Sequence, residues 1–381
     1  MSGSIVREIL KLTQQPDIIS MAGGLPSPDS FPVAQLRQIT ADLFAGDTSF
    51  LQYGTTEGIP ELRSHLAEWV GDLDIKAAAD NTLILTGSQQ GIDLICKVMM
   101  NPGDTVIVER PTYLAALQIF RMYQVNVVDI PGDEEGMDIK ALERAIQKTN
   151  AKMVYTIPTF QNPTGISWTL KRRKALADLA DKYKIVVVED DPYGRLRYSG
   201  ENLSAVTGLN GLKQTIYLGS FSKVVSPGLR IGYAIGPQNL IRSMTIAKQT
   251  TDLHSSNLSQ QIVLEFIKRG YLKQHIPHIC AQYAAKRDCM LAALSKYFPA
   301  QAHWTHPDGG LFIWATLPEE ISSTRLLDQA VAEKVAFIPG KPFYADGSGD
   351  NCLRLNFSNS TPTEIENGLA RLGRVIAKEL A

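Results

Sequence analysis

The sequence predicts an α/β protein, with a mostly parallel seven-stranded sheet covered by helices and a smaller α+β unit beside it. Two observations carry this. From residue 82 to residue 235, seven short runs rich in β-branched residues (82–86, 105–109, 125–130, 152–157, 184–189, 215–218 and 231–235) alternate with helical patterns at 89–100, 113–122, 138–148 and 169–183. The runs show no clean two-residue alternation, as expected of strands covered on both faces, and strand–helix alternation is the pattern of a parallel, doubly covered sheet. After residue 237 the texture changes. Helical patterns at 238–251, 256–269 and 276–297 give way to three alternating runs, 309–315, 336–339 and 352–357, with helices at 324–333 and 362–379. These runs predict half-buried strands of a smaller α+β unit. The expected division is an N-terminal arm at 1–18, a large unit at 45–275, and a small unit formed by 19–44 with 276–381.

In chain order, residues 4–13 carry apolar positions at helical spacing behind Ser4, which predicts a short amphipathic helix. Ala22-Gly-Gly-Leu-Pro26-Ser-Pro28 breaks regularity and suits a fixed loop whose backbone N–H groups approach a small ligand. Helices are expected at 32–44 and, after the glycine-punctuated Tyr53-Gly-Thr-Thr-Glu-Gly58, at 59–70. Gly87-Ser88-Gln89 falls where a strand ends and a helix begins. There, either Ser88 is a plain N-cap, or free N–H groups and the helix dipole hold a phosphate.

The stretch Ser220-Phe-Ser222-Lys223-Val-Val-Ser-Pro-Gly-Leu-Arg230 lies between two strand-like runs, and strand-end loops are where α/β proteins bind ligands. Lys223 there can form a Schiff base with an aldehyde, while Ser220, Ser222 and Arg230 can hold a phosphate dianion. Taken alone, a solvated loop lysine beside an ordinary arginine has the same appearance. Asp190 ends the run Val186-Val-Val-Glu189, and strand alternation points it away from both Glu189 and Asp191.

Composition excludes other classes of function. The 381 residues are 44% hydrophobic and 20% charged with a net charge of −1, which gives no reason to invoke nucleic acid or an anionic membrane. Lys171-Arg-Arg-Lys174, a basic run, predicts a solvated helix face. Cys96, Cys280, Cys289 and Cys352 have irregular spacing and suit free thiols in a reducing cytosol. The N-terminus carries no apolar signal core, and no window approaches the roughly 20 apolar residues of a membrane span, so the expected location is cytoplasmic. The pairs His275/His278 and His303/His306 lack companion ligands at structural-zinc spacing, so no metal is expected.

Together and in this order, Gly87-Ser88-Gln89, Phe160-Gln-Asn162-Pro-Thr-Gly165, Glu189-Asp190-Asp-Pro-Tyr193 and Ser220-Phe-Ser222-Lys223 resemble the pyridoxal-phosphate (PLP)-dependent enzymes of fold type I, specifically the class I/II aminotransferases. Ser4-Ile-Val-Arg7, Ala22-Gly-Gly-Leu-Pro26, Gln52-Tyr53-Gly and Asp252-Leu-His254 place the resemblance nearest the 2-aminoadipate and kynurenine aminotransferase group, over nearly the whole chain.

The resemblance implies roles. Lys223 would hold the cofactor as a Schiff base and shuttle the proton between the substrate Cα and the cofactor. Asp190 would pair with the pyridinium nitrogen, Asn162 and Tyr193 with the ring's phenolic oxygen, and Tyr113 would stack on the ring. Ser88, Gln89, Ser220, Ser222 and Arg230 would form the phosphate cup, completed by Tyr53 from the second subunit of a homodimer. Arg354, with Asn162 and the backbone of Gly24, would grip the substrate α-carboxylate, and Arg7 would meet a distal carboxylate. The implied reaction moves the amino group of an L-α-amino acid of aromatic, branched-chain or 2-aminoadipate type to a 2-oxo acid, 2-oxoglutarate above all, by a ping-pong mechanism. Two alternatives remain on sequence. β-Lyases and related eliminases share these motifs. Transcription regulators with an aminotransferase-like sensing domain place a winged helix before it, whereas about twenty residues precede the Gly-Gly-Leu-Pro loop here, so this reading is not expected.

Overall fold

In the computed structural model, which describes residues 17–380, the chain enters through a two-residue strand, β1 (Ile19–Ser20), and then builds its main sheet. That sheet contains β2 (Thr82–Leu85), β3 (Thr105–Arg110), β4 (Asn126–Asp133), β5 (Gly136–Met137), β6 (Met153–Thr156), β7 (Val186–Asp191), β8 (Thr215–Ser220) and β9 (Gly232–Ile235). The spatial order is β2-β9-β8-β7-β6-β3-β4-β5. Strands β4, β3, β6, β7 and β8 pair parallel in succession, and β9 runs antiparallel to both β8 and β2. Seven of the eight strands are those expected. The eighth, β5, forms a tight antiparallel pairing with the end of β4. It turns at Gly136, whose φ of +116° and closeness to Trp168 leave no room for a Cβ.

The absence of alternation has its expected cause. Leu83, Leu85, Val106, Val108, Tyr155 and Leu218 face one apolar layer, shared with Ile92, Ile95, Leu117, Phe120, Ile241 and Met244. Ile107, Val154 and Val187 face the opposite layer with Leu142, Leu176 and Ala180. Both sides of the central strands are therefore dry, and only loops at strand ends can present polar groups to a ligand.

A second sheet, ordered β10-β11-β14-β13, contains β10 (His303–Trp304), β11 (Phe312–Thr316), β13 (Ile338–Pro339) and β14 (Cys352–Asn356). β12 (Val335–Ala336) pairs in parallel with β1. The expectation of half-buried strands is corrected here: every residue of β14 is buried, Arg354 included. The helix expected at 276–297 begins earlier, at Tyr271, and accommodates Pro277 in its second turn. The helix expected at 4–13 lies outside the described residues.

The reading of Lys171–Lys174 as a solvated face is also corrected. Arg173 is 1% exposed and donates to the carbonyls of Trp168 at 3.1 Å and Pro158 at 2.7 Å and to Thr159 Oγ1 at 2.9 Å. It lies on the helix face of Leu176, Ala177 and Ala180, at i+3, i+4 and i+7, while Arg172 pairs outside with Asp133. Arg173 thereby pins the loop that leaves β6 toward Asn162.

Glu109, at the end of β3, ties the same loop from the other side. It accepts from Ile157 N at 2.8 Å and from Trp168 Nε1 at 2.9 Å, and burial pushes its carboxyl up to about 7. Glu109→Gln turns one acceptor oxygen into an amide donor facing a buried donor. It should cost about 1–3 kcal/mol, measured at pH 8 by chemical denaturation; unchanged stability would contradict this accounting.

Candidate active site

The parallel strands deliver their C-terminal ends to one edge, where an open α/β sheet binds ligands. A cleft of about 620 Å³, part of it open to solvent, lies there, lined by Gly87, Ser88, Gln89, Tyr113, Ile157, Asn162, Asp190, Pro192, Tyr193, Ser220, Ser222, Lys223, Pro227 and Arg230. Ten residues singled out in the sequence are in that wall. Gly24 and Arg354 join it through hydrogen bonds. Tyr53 does not line it within one chain: it is 79% exposed, its ring 5.9 Å from that of His254. Arg7 lies outside the described residues.

One end of the cavity suits an anion. The helix Ser88–Met99 is capped by Gly87, not by Ser88, and no side chain bonds its first turn as a cap. Gly87 has φ +85°, and a Cβ there would meet Arg230 Nη2 at 2.3 Å, so the glycine admits the guanidinium against the turn. Arg230 also donates to the Thr86 carbonyl at 3.2 Å. Opposite, the Ser220 and Ser222 hydroxyls stand 3.0 Å apart. First-turn N–H groups, two hydroxyls and a guanidinium together make a phosphate cradle.

The far end is built around a carboxylate. Glu189, Asp190 and Asp191 diverge as alternation predicts. Glu189 accepts from Val206 N, Thr207 N and Thr207 Oγ1, and Asp191 from Tyr217 and Gly194 N. Asp190 faces the cavity. It is 2% exposed, and burial pushes its carboxyl up to about 7. Its Oδ2 accepts from Tyr155 at 2.8 Å, while its Oδ1 has no partner among the described residues. A buried, half-satisfied carboxylate fits a cationic ring nitrogen.

The same wall carries Lys223, whose Nζ donates to the Gly24 carbonyl at 2.7 Å. Burial, with the nearby Arg354 and Arg230 charges, lowers its amine to about 8. Asn162 connects the remaining groups. Its Nδ2 donates to Tyr193 Oη at 3.3 Å, and its Oδ1 accepts from Arg354 Nη1 at 2.8 Å. The Arg354 guanidinium donates through Nη2 to the Ala22 carbonyl at 2.8 Å and stacks 4.1 Å from the Phe312 ring and 5.1 Å from that of Phe343. Desolvation lowers even this arginine to about 10.

Some contributors escaped the sequence reading. Tyr155 is one, on a buried strand whose composition shows only a packed aromatic. The other group is a buried Lys248 paired to Asp252 at 2.7 Å. Gln90 accepts from Lys248 and from Thr86 N, and donates to Asp252. This network clamps the turn that forms the cradle. Among the described residues, no group of three or more His, Cys, Asp or Glu side chains is placed to hold a metal, and no helix is long and apolar enough to cross a membrane.

Comparison with known proteins decides the family: the aminotransferase class I and II model matches residues 16–372. The chain belongs to the class I and II aminotransferases. It is 45% identical to aromatic-amino-acid aminotransferase 1 of Thermococcus litoralis, over 100% of this chain and 93% of the relative. It is 40% identical to the 2-aminoadipate transaminase of Thermus thermophilus, over 99% of this chain and 95% of the relative. Its fold superposes with a TM-score of 0.96 on the Pyrococcus horikoshii kynurenine aminotransferase solved in complex with PMP, at 45% identity over 100% of this chain and 96% of that one. As an amino-acid aminotransferase of fold type I, this enzyme uses pyridoxal phosphate. The phosphate cradle and the open oxygen of Asp190 both fit that cofactor.

The lowered Lys223 amine is directly measurable. In cofactor-free aminotransferase, acylation of Lys223, followed by peptide mapping, should rise with pH through a midpoint near 8, because only the neutral amine reacts. A midpoint at the ordinary lysine value of about 10.4 would contradict the desolvated site.

Proposed function

We propose that this aminotransferase takes an aromatic, branched-chain or 2-aminoadipate-type L-α-amino acid as donor and a 2-oxo acid, 2-oxoglutarate above all, as acceptor. The observation that carries the residue assignments is the single cavity that brings together a desolvated lysine, an anion cradle and a half-satisfied carboxylate. The names of the relatives support the aromatic and 2-aminoadipate donor classes.

Bound pyridoxal phosphate supplies an electron sink that lets the substrate Cα–H bond ionise. The chain's residues do the rest. Ser88, Gln89, Ser220, Ser222 and Arg230 would hold the phosphate, and Tyr113 would cover the ring. Asp190 keeps the ring nitrogen protonated through its open oxygen. Tyr193, already accepting from Asn162, directs its own proton to the ring's phenolic oxygen. Arg354 is the site's carboxylate fork, oriented by Asn162 and Ala22 and packed near the rings of Phe312 and Phe343, with Gly24 beside it. Lys223 would hold the cofactor's aldehyde carbon through its amine and would act as the base toward the substrate Cα proton. Its depressed pKa raises the neutral fraction near neutral pH far above that of an ordinary lysine, and the base form becomes the major one as pH rises through about 8.

The working form in this reading is a cytoplasmic homodimer. Tyr53 at 79% exposure, Leu51 at 64% and Leu253 at 44% are large apolar side chains open to a partner surface, and Tyr53 would reach the partner's phosphate cup. Four free cysteines suit a reducing compartment.

Borohydride reduction of the holoenzyme should place the pyridoxyl label on Lys223. Lys223→Ala should lose turnover by about 10³-fold or more while still retaining cofactor through the phosphate cup. A label on another lysine, or full activity in the variant, would refute the assignment.

A further inference from the structure

We infer that Tyr155 is a positioning residue for amino transfer: its hydroxyl saturates one oxygen of Asp190 and so directs the other oxygen, with the negative charge, to the cofactor's ring nitrogen. The inference rests on the assignment of Asp190 as ring-nitrogen partner and adds what makes that carboxylate one-sided.

The placement follows from register. β6 and β7 pair in parallel with Tyr155 opposite Val188, so Tyr155 shares a sheet face with Val188 and Asp190, and its ring reaches along that face to the carboxylate two residues on. The ring is fully buried, edge-on to Phe120 with centroids 5.7 Å apart, in the apolar layer under the site. The hydroxyl therefore has one direction in which to donate. Of the three consecutive acids, Glu189 and Asp191 have donors on both oxygens. Only Asp190 has one oxygen filled and one open, and the filled one is filled by Tyr155.

The sign of the effect follows from the chemistry of a phenol. Desolvation and the Asp190 charge hold the Tyr155 proton far above the ordinary phenol range, so the hydroxyl is a permanent donor here. A permanent donor stabilises the carboxylate over the carboxylic acid. Without it, the proton shared between Asp190 and the ring nitrogen moves toward Asp190. The ring nitrogen then loses the charge that makes the cofactor an electron sink.

Tyr155→Phe removes the hydroxyl and keeps the ring that packs on Phe120. In holoenzyme reconstituted with pyridoxal phosphate labelled with ¹⁵N at the ring nitrogen, the wild-type signal should have the shift of a protonated pyridinium. The variant's signal should move toward unprotonated pyridine. Its half-reaction rate at saturating amino acid should fall roughly tenfold to a hundredfold, as for loss of a hydrogen bond to a charged group. A wild-type ¹⁵N shift in the variant would overturn the inference whatever its rate, because a packing role does not protonate the ring. Asp190→Asn run in parallel separates the two layers. If it moves the signal and Tyr155→Phe does not, only the role of Tyr155 fails; if Asp190→Asn leaves the signal in place, the Asp190 assignment fails with it.

Discussion

The half-satisfied carboxylate of Asp190 is the constraint on which the rest of the site depends. A carboxylate 2% exposed at the end of a dry strand is costly unless a cation or a set of donors meets it. The fold supplies one donor, from Tyr155, and leaves the second oxygen to a ligand. Elsewhere the cavity wall carries the opposite sign. Lys223 and Arg230 line it, and Arg354 stands close enough to depress the Lys223 amine. One anion site, one cation-seeking oxygen and one amine of lowered basicity in a single cavity match a ligand with a phosphate, a basic ring nitrogen and an aldehyde.

The scaffold makes such an arrangement possible by keeping both faces of the sheet apolar. Polar groups are then confined to strand ends, and the loops there are pinned from below. Arg173 and Glu109 fix the segment between β6 and Asn162, and Lys248, Asp252 and Gln90 fix the turn before the phosphate-facing helix. Buried charged side chains placed just behind a loop rigidify it, since each has its donors or acceptors committed. The site is thus held in shape by residues outside the cavity wall.

Much of this was legible in the sequence because strand-end motifs carry both structure and chemistry. Lys223, Asp190, Asn162, Tyr193 and Arg230 all stand at the end of a strand or in the loop beside one, and the structure gathers them into one place. What escaped the reading did so for physical reasons. Gly87 rather than Ser88 caps the helix because the guanidinium of Arg230, distant in sequence, occupies the space of a Cβ. Arg173 sits within a run of four cations, and only its helical phase relative to Leu176 and Ala180 reveals that it turns inward. Arg354 looks like the polar face of an alternating strand until Phe312 and Phe343 close over it. β5 has two residues, one of them a glycine, too little for any periodicity. Tyr155 gives no signal of its own, since the partner of a buried hydroxyl is set by strand register.

The account's central claim is that this cavity moves an amino group onto its cofactor. The most direct measurement is the absorbance spectrum of the purified holoenzyme, titrated with one L-amino acid at a time and no 2-oxo acid. Conversion of the pyridoxal band to the pyridoxamine band, in proportion to added donor and reversed by 2-oxoglutarate, is the predicted result, and the donors will rank in the same experiment. A spectrum that keeps its pyridoxal band while ammonia is released, or that no amino acid alters, would contradict it.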